Sequence, residues 1–168
     1  MNRRRLAIAI VTLAVLGPLA GLIWFESNLE ARRSQRPEVG MLFPALPGLA
    51  DGESLPASPG RLRVVTFARA GCGNCDRTIG ALRRVTASGE GDFDLIAVVA
   101  AAQATGLEDT AGLYSIADPD ASLSKRFGVI HVPLVFLVDE HSRVRGVTTG
   151  ERPEAAWRSF LGLEGDAL

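Results

Sequence analysis

Hydrophobic positions in this chain fall into one long block and a series of short runs. The block is residues 6–25 (LAIAIVTLAVLGPLAGLIWF), which hold no charge; as a helix it measures about 30 Å, the thickness of a bilayer's hydrocarbon core. The short runs begin after it. Val64, Val65, Thr66 and Phe67 read as a buried strand, and residues 93–100 (FDLIAVVA) as a strand covered on both faces. Between them, residues 73–85 place Ile79, Leu82 and Val85 on one helical face, with Gly80 weakening the far end. A weaker helix is expected over 104–114. Asp118-Pro119-Asp120 is expected to cap another, with Leu123 and Phe127 on one side and Gly128 closing it. Residues 132–138 (VPLVFLV) form a strong strand with Pro133 at its start, where a missing N–H does least harm. A turn over 139–142 leads to a last strand, 144–149, ended by Gly150. Pro153 then opens a terminal helix with Trp157, Phe160 and Leu161 at core spacing. Strands alternating with helices, then a hairpin and a helix, describe a small α/β domain with a mixed sheet.

What lies between the block and the runs is punctuation. Residues 26–38 are polar, carry mixed charge and contain Pro37, the composition of a tether. The next twenty or so positions are turn-rich, with Asp51-Gly52 marking a hairpin or an edge extension. The expected division is a basic tip at 1–5, a transmembrane anchor at 6–25, the tether at 26–38 and the folded domain at 39–168.

Composition changes that picture only at the ends. The 168 residues are 47% hydrophobic with a formal net charge of −1. Arg3, Arg4 and Arg5 precede the anchor; without them 15 basic and 19 acidic residues remain, a net of −4 with no basic patch for nucleic acid. By the positive-inside rule those arginines hold the N-terminus in the cytoplasm and put the domain across the membrane. The block is longer than the about 7 to 15 apolar residues of a secretory signal, and it ends in Leu22, Ile23, Trp24 and Phe25 where a signal would have a small-x-small cleavage site. An uncleaved anchor is expected, with Trp24 at the interface.

The chemistry is concentrated in residues 61–77 (RLRVVTFARAGCGNCDR), which contain both cysteines of the chain. Gly71 breaks the strand and Cys72-Gly73-Asn74-Cys75 follows where a helix begins. A C-x-x-C in a first turn puts two sulfurs on one face, where a disulfide can close. The helix N-terminus favours thiolate over thiol at the first of them, and thiolate is the attacking species in disulfide exchange. Cys72 is therefore the candidate nucleophile. Arg69 and Arg77 would favour that thiolate and Asp76 oppose it, though solvated surface charges are the plainer reading. Other uses of the pair are half a zinc site, for which His131 and His141 lie outside ligand spacing; a closed structural bridge, which over so short a loop stabilises little; and copper(I) held by two thiolates, with or without His131.

These residues resemble the thioredoxin superfamily: a buried strand running into C-x-x-C at a helix start, then Gly128-Val129-Ile130-His131-Val132-Pro133 leading into an apolar strand. The anchor, the Val39-Gly40…Pro44 lead-in and the ending from Gly128 to Gly150 are similar to the membrane-anchored TlpA/ResA-like proteins of the bacterial cell envelope. LSKRFGVIHVP and VTTG look most like their suppressor-of-copper-sensitivity D type. The resemblance implies a three-layer α/β/α domain around a mixed sheet, and an envelope thiol:disulfide oxidoreductase without a cofactor. It implies that Cys72 attacks and Cys75 resolves, that Pro133 is a cis-proline packed against the pair, and that Val132 offers backbone groups to a bound partner. The implied partners are cysteine-containing envelope proteins and a membrane electron donor or acceptor, and the implied place is the bacterial inner membrane, single-pass, with a periplasmic domain. Two departures stand out. Thr66 and Thr78 occupy the positions of the family's buried carboxylates, so no general base is assigned, and Gly71 replaces the usual tryptophan before the first cysteine.

Overall fold

The computed structural model describes residues 3–33, 35–46, 60–101 and 113–163, with side chains described from residue 16 on, residues 32 and 33 excepted. The four apolar runs expected as strands all enter one five-stranded sheet, which gains a fifth strand from residues 113–117. The strands are β1 (Leu62–Arg69), β2 (Phe93–Ala100), β3 (Leu113–Ala117), β4 (Leu134–Val138) and β5 (Val144–Thr149), in the order β3-β2-β1-β4-β5. β1 pairs in parallel with β2, and β2 with β3; β4 runs antiparallel to β1 and β5 antiparallel to β4. β1 is thus the central strand, and the strand that leads to the cysteines is held on both sides.

Because alternate side chains of a strand point to opposite faces, the sheet builds two cores. Val64 and Ala68 of β1, Leu95, Ala97 and Val99 of β2 and Val135 and Leu137 of β4 pack beneath α2 (Gly73–Thr86) and α4 (Glu154–Phe160), with Ile79, Leu82, Val85 and Trp157 closing the layer. On the reverse face Val65, Phe67, Ile96, Val98, Leu134 and Phe136 meet Phe127 at the end of α3 (Ser122–Arg126). Phe43 and Leu46 of the lead-in join that side. Its centre is a set of four rings, Phe43, Phe67, Phe127 and Phe136, with neighbouring centroids 4.8 to 6.4 Å apart. Among the described residues the second helical layer is thin, one short helix and a stretch of extended chain.

α3 starts because of Asp118, although Ala121 stands at the cap position with φ +56° and no capping bond of its own. The Asp118 carboxylate, almost fully buried, accepts from the N–H groups of Leu123 and Ser124 and from the Ser124 hydroxyl at 2.7 to 3.0 Å. One part of the expected pattern is corrected. The helix expected over 104–114 does not reach its end as a helix: Leu113–Ala117 is a strand, added in parallel to the outer edge of β2 with Leu113 and Ile116 buried. Pairing along a neighbouring strand overrides weak local helix preference there. Residues 102–112 lie outside the described residues, as does Asp51-Gly52.

The N-terminal block is helical. α1 (Arg3–Arg33) is a 31-residue helix with Pro18 inside it. It continues past Phe25, so the segment expected as a tether begins as two further turns of helix, where Ser27 Oγ and Asn28 Nδ2 donate to carbonyls four residues back. Leu16, Leu19, Leu22, Ile23, Trp24 and Phe25 are all more than half exposed. Among the described residues no helix is long and apolar enough to cross a membrane. The described apolar side chains of α1 begin at Leu16, so the first half of the expected 6–25 span lies outside them. Contact with the domain starts at Arg36, whose Nη2 donates to the Gly128 carbonyl at 3.3 Å, and at Pro37, which is buried. Gly40 and Phe43 then pair through their N–H groups with the carbonyls of Val144 and Ser142.

Candidate active site: the Cys72–Cys75 pair

β1 ends at Arg69 and the chain must turn at once into α2. Gly71 makes the turn with φ +72°, a left-handed conformation that any side chain would strain. This is the local reason for glycine at position 71. Cys72 then caps α2: its backbone is extended, and its sulfur accepts from the Cys75 N–H at 3.3 Å. The cap contact and the dipole of the 14-residue helix both favour negative charge on the Cys72 sulfur. Cys75 sits one turn in, on the buried face with Ile79 and Leu82, and has no exposed surface. Cys72 is only half-buried. The two are joined as a disulfide, with Cα atoms 5.2 Å apart.

The sheet register brings the other expected residues to the same end. Phe67 lies opposite Leu134, so the last residues of β1 and the residues just before β4 share one edge. The Val132-Pro133 peptide bond is cis. Pro133 is buried, and its carbonyl accepts from the Gly150 N–H at 3.0 Å. Val132 is half-buried and packs against both cores. No hydrogen bond among the described residues engages the Val132 backbone. His131 is exposed, and no group of three or more His, Cys, Asp and Glu able to hold a metal occurs among the described residues.

Thr66 and Thr78 are both fully buried, in the same layer as Cys75, and neither hydroxyl has a hydrogen-bond partner among the described residues. The two buried carboxylates among the described residues lie elsewhere: Asp118 caps α3, and Asp94 pairs with Arg61 at the opposite end of the sheet.

One link was not legible in the sequence. Arg77 donates through Nη2 to Asn74 Oδ1 at 2.6 Å and through Nε to Glu151 Oε1 at 2.8 Å. A Cβ placed on Gly73 would stand 3.4 Å from its Nη1, so the guanidinium lies along the turn between the cysteines. Arg77 borders a cavity of about 460 Å³ beside the first turns of α2, whose other wall is Glu151, Arg152 and Pro153. The hydrogen bond and charge of Glu151 raise the Arg77 pKa, and the same bond holds the Glu151 carboxyl below its ordinary range. A larger cavity, about 490 Å³, lies between the lead-in and β5 and touches neither cysteine.

The Redoxin family model matches residues 39–160. The chain belongs to the Redoxin family. Within it this member is a thioredoxin-like thiol:disulfide oxidoreductase of the TlpA/ResA-like kind. A solved structure of a putative thiol:disulfide interchange protein DsbE from Chlorobium tepidum superposes with a TM-score of 0.60 at 26% identity, covering 77% of this chain and 99% of that one. MTB dsbF, solved in mixed oxidized and reduced forms, gives a TM-score of 0.56 at 23% identity over 73% and 96% of the two chains. StoA from Bacillus subtilis gives 0.51 at 18% over 74% and 97%. These last two support the fold alone. No curated protein matches the sequence.

Proposed function

We propose that this Redoxin-family member exchanges its Cys72–Cys75 couple with cysteine-containing proteins of the bacterial envelope, held to the inner membrane by residues 6–25. The observation that carries the site reading is the contrast between the two sulfurs: one at a helix cap, half-buried and bonded by an amide, the other wholly enclosed. In the reductive direction the Cys72 thiolate attacks a client disulfide, forming a mixed disulfide and releasing one client thiolate. Cys75 then attacks the Cys72 sulfur, closing the pair and releasing the second client thiolate. Two electrons pass to the client, and the protons of the two protein thiols end on its sulfurs. Run backwards, the same steps oxidise a client dithiol. Val132 offers its unpaired backbone to the visiting chain beside the buried Pro133. A membrane dithiol or disulfide partner resets the couple.

The anchor rests on the uncharged run of residues 6–25, the arginines before it and the exposed apolar side chains of α1 from Leu16 to Phe25. The alternative of a copper(I) carrier or sensor using Cys72 and Cys75, with or without His131, has no observation among the described residues in its favour. The test is catalysis of insulin disulfide reduction by the full chain in detergent, with dithiothreitol as donor. Turnover that disappears in Cys72→Ser is expected; a chain that binds one copper(I) per dithiol but never accelerates reduction would overturn the reading.

A further inference from the structure

Arg77 is the only described side chain bonded both to the C-x-x-C turn and to the segment beside Pro133. Glu151, its partner, follows Gly150, whose N–H is fixed to the Pro133 carbonyl. Both groups stay solvated, with side chains 60% and 39% exposed, so the pair contributes little to stability. What distinguishes it is the place of the guanidinium along Gly73 and Asn74, the two residues between the cysteines. We propose that Arg77 and Glu151 are opposed positioning charges that set how readily Cys72 ionises. The guanidinium, lying along Gly73 and Asn74, favours the thiolate; the Glu151 carboxylate offsets part of that charge. This deepens the oxidoreductase reading and rests on it.

Other titratable groups lie on the same segments. Asp76 is on α2 itself, Arg69 ends β1, Arg152 follows Glu151 and His131 stands before Val132; all are exposed. They contribute a background that is the same in every variant of the pair. What is particular to Arg77 and Glu151 is that they are hydrogen-bonded to each other yet carry opposite sign toward Cys72. A tie that served only to hold the two segments together would be broken alike by removing either partner, and both removals would move Cys72 in one direction. An electrostatic role predicts opposite directions.

The experiment is the pH dependence of Cys72 alkylation by iodoacetamide in the reduced full chain, read by mass spectrometry, for wild type, Arg77→Gln, Glu151→Gln and the double variant. Below the thiol pKa, Arg77→Gln is expected to slow alkylation about twofold to threefold and Glu151→Gln to speed it by a similar factor, with 1 M salt shrinking both differences. The double variant should return close to wild type, since the two opposite charges act on the sulfur additively. Shifts of the same sign in the two single variants, or none in either, would overturn the inference while leaving insulin reduction intact. Loss of all exchange in the wild-type chain would instead overturn the oxidoreductase reading itself.

Discussion

Thr66 and Thr78 place two hydroxyls in the same layer as Cys75, fully buried and without hydrogen-bond partners among the described residues. A buried hydroxyl that makes no hydrogen bond costs its desolvation, on the order of 1–3 kcal/mol, and valine has nearly its shape without that cost. Thr66→Val is therefore expected to stabilise the protein by about 1 kcal/mol, seen as a rise in the denaturant midpoint at unchanged slope; a loss of stability would mean that the hydroxyl is satisfied. At the surface the relevant residue is Glu151. Its carboxyl is held below 4.5, the value for a free glutamate, by the Arg77 hydrogen bond and then by that residue's charge. A depressed folded-state pKa contributes stability above the unfolded value and loses it as pH falls through the folded one. In Arg77→Gln the Glu151 titration should return upward by NMR; no movement would show that Arg77 is not its cause.

At the scale of elements, α3 depends on one side chain. Its five residues are too few to be stable alone, and Asp118 satisfies two of its amides from the preceding turn. Asp118→Ala is expected to cost about 2 kcal/mol in chemical unfolding, at the upper end for a lost cap because the freed N–H groups are partly buried. A cost below about 0.5 kcal/mol would show that α3 is held by Phe127 packing alone. The contrast between α3 and β3 shows what a sequence makes visible. Asp118-Pro119-Asp120 and Phe127 announce a helix through local chemistry. Leu113, Tyr114 and Ile116 carry no clear period, and only the open edge of β2 makes them a strand. In the same way the Cys72–Cys75 bridge and the cis bond at Pro133 are legible because a short motif carries them. The Arg77–Glu151 bond joins residues 74 positions apart and leaves no trace in either neighbourhood.

The described residues comprise a sheet domain that presents the Cys72 sulfur at the end of its central strand, with Cys75 enclosed behind it, and a helix, α1, whose apolar side chains from Leu16 to Phe25 are exposed. If residues 6–25 anchor it as proposed, the full chain should sediment with membranes and resist extraction by carbonate, and deleting residues 1–25 should release it. Recovery of the intact chain in the soluble fraction would contradict the anchor without touching the site. The central claim is narrower: Cys72 meets the client and Cys75 completes the exchange. The measurement that tests it most directly is mass-spectrometric identification of the adducts trapped on Cys72→Ser and Cys75→Ser in bacterial cells. Mixed disulfides with other proteins should accumulate at Cys72 in the Cys75→Ser variant and be nearly absent from Cys72→Ser; equal capture at both sulfurs, or capture mainly at Cys75, would contradict it.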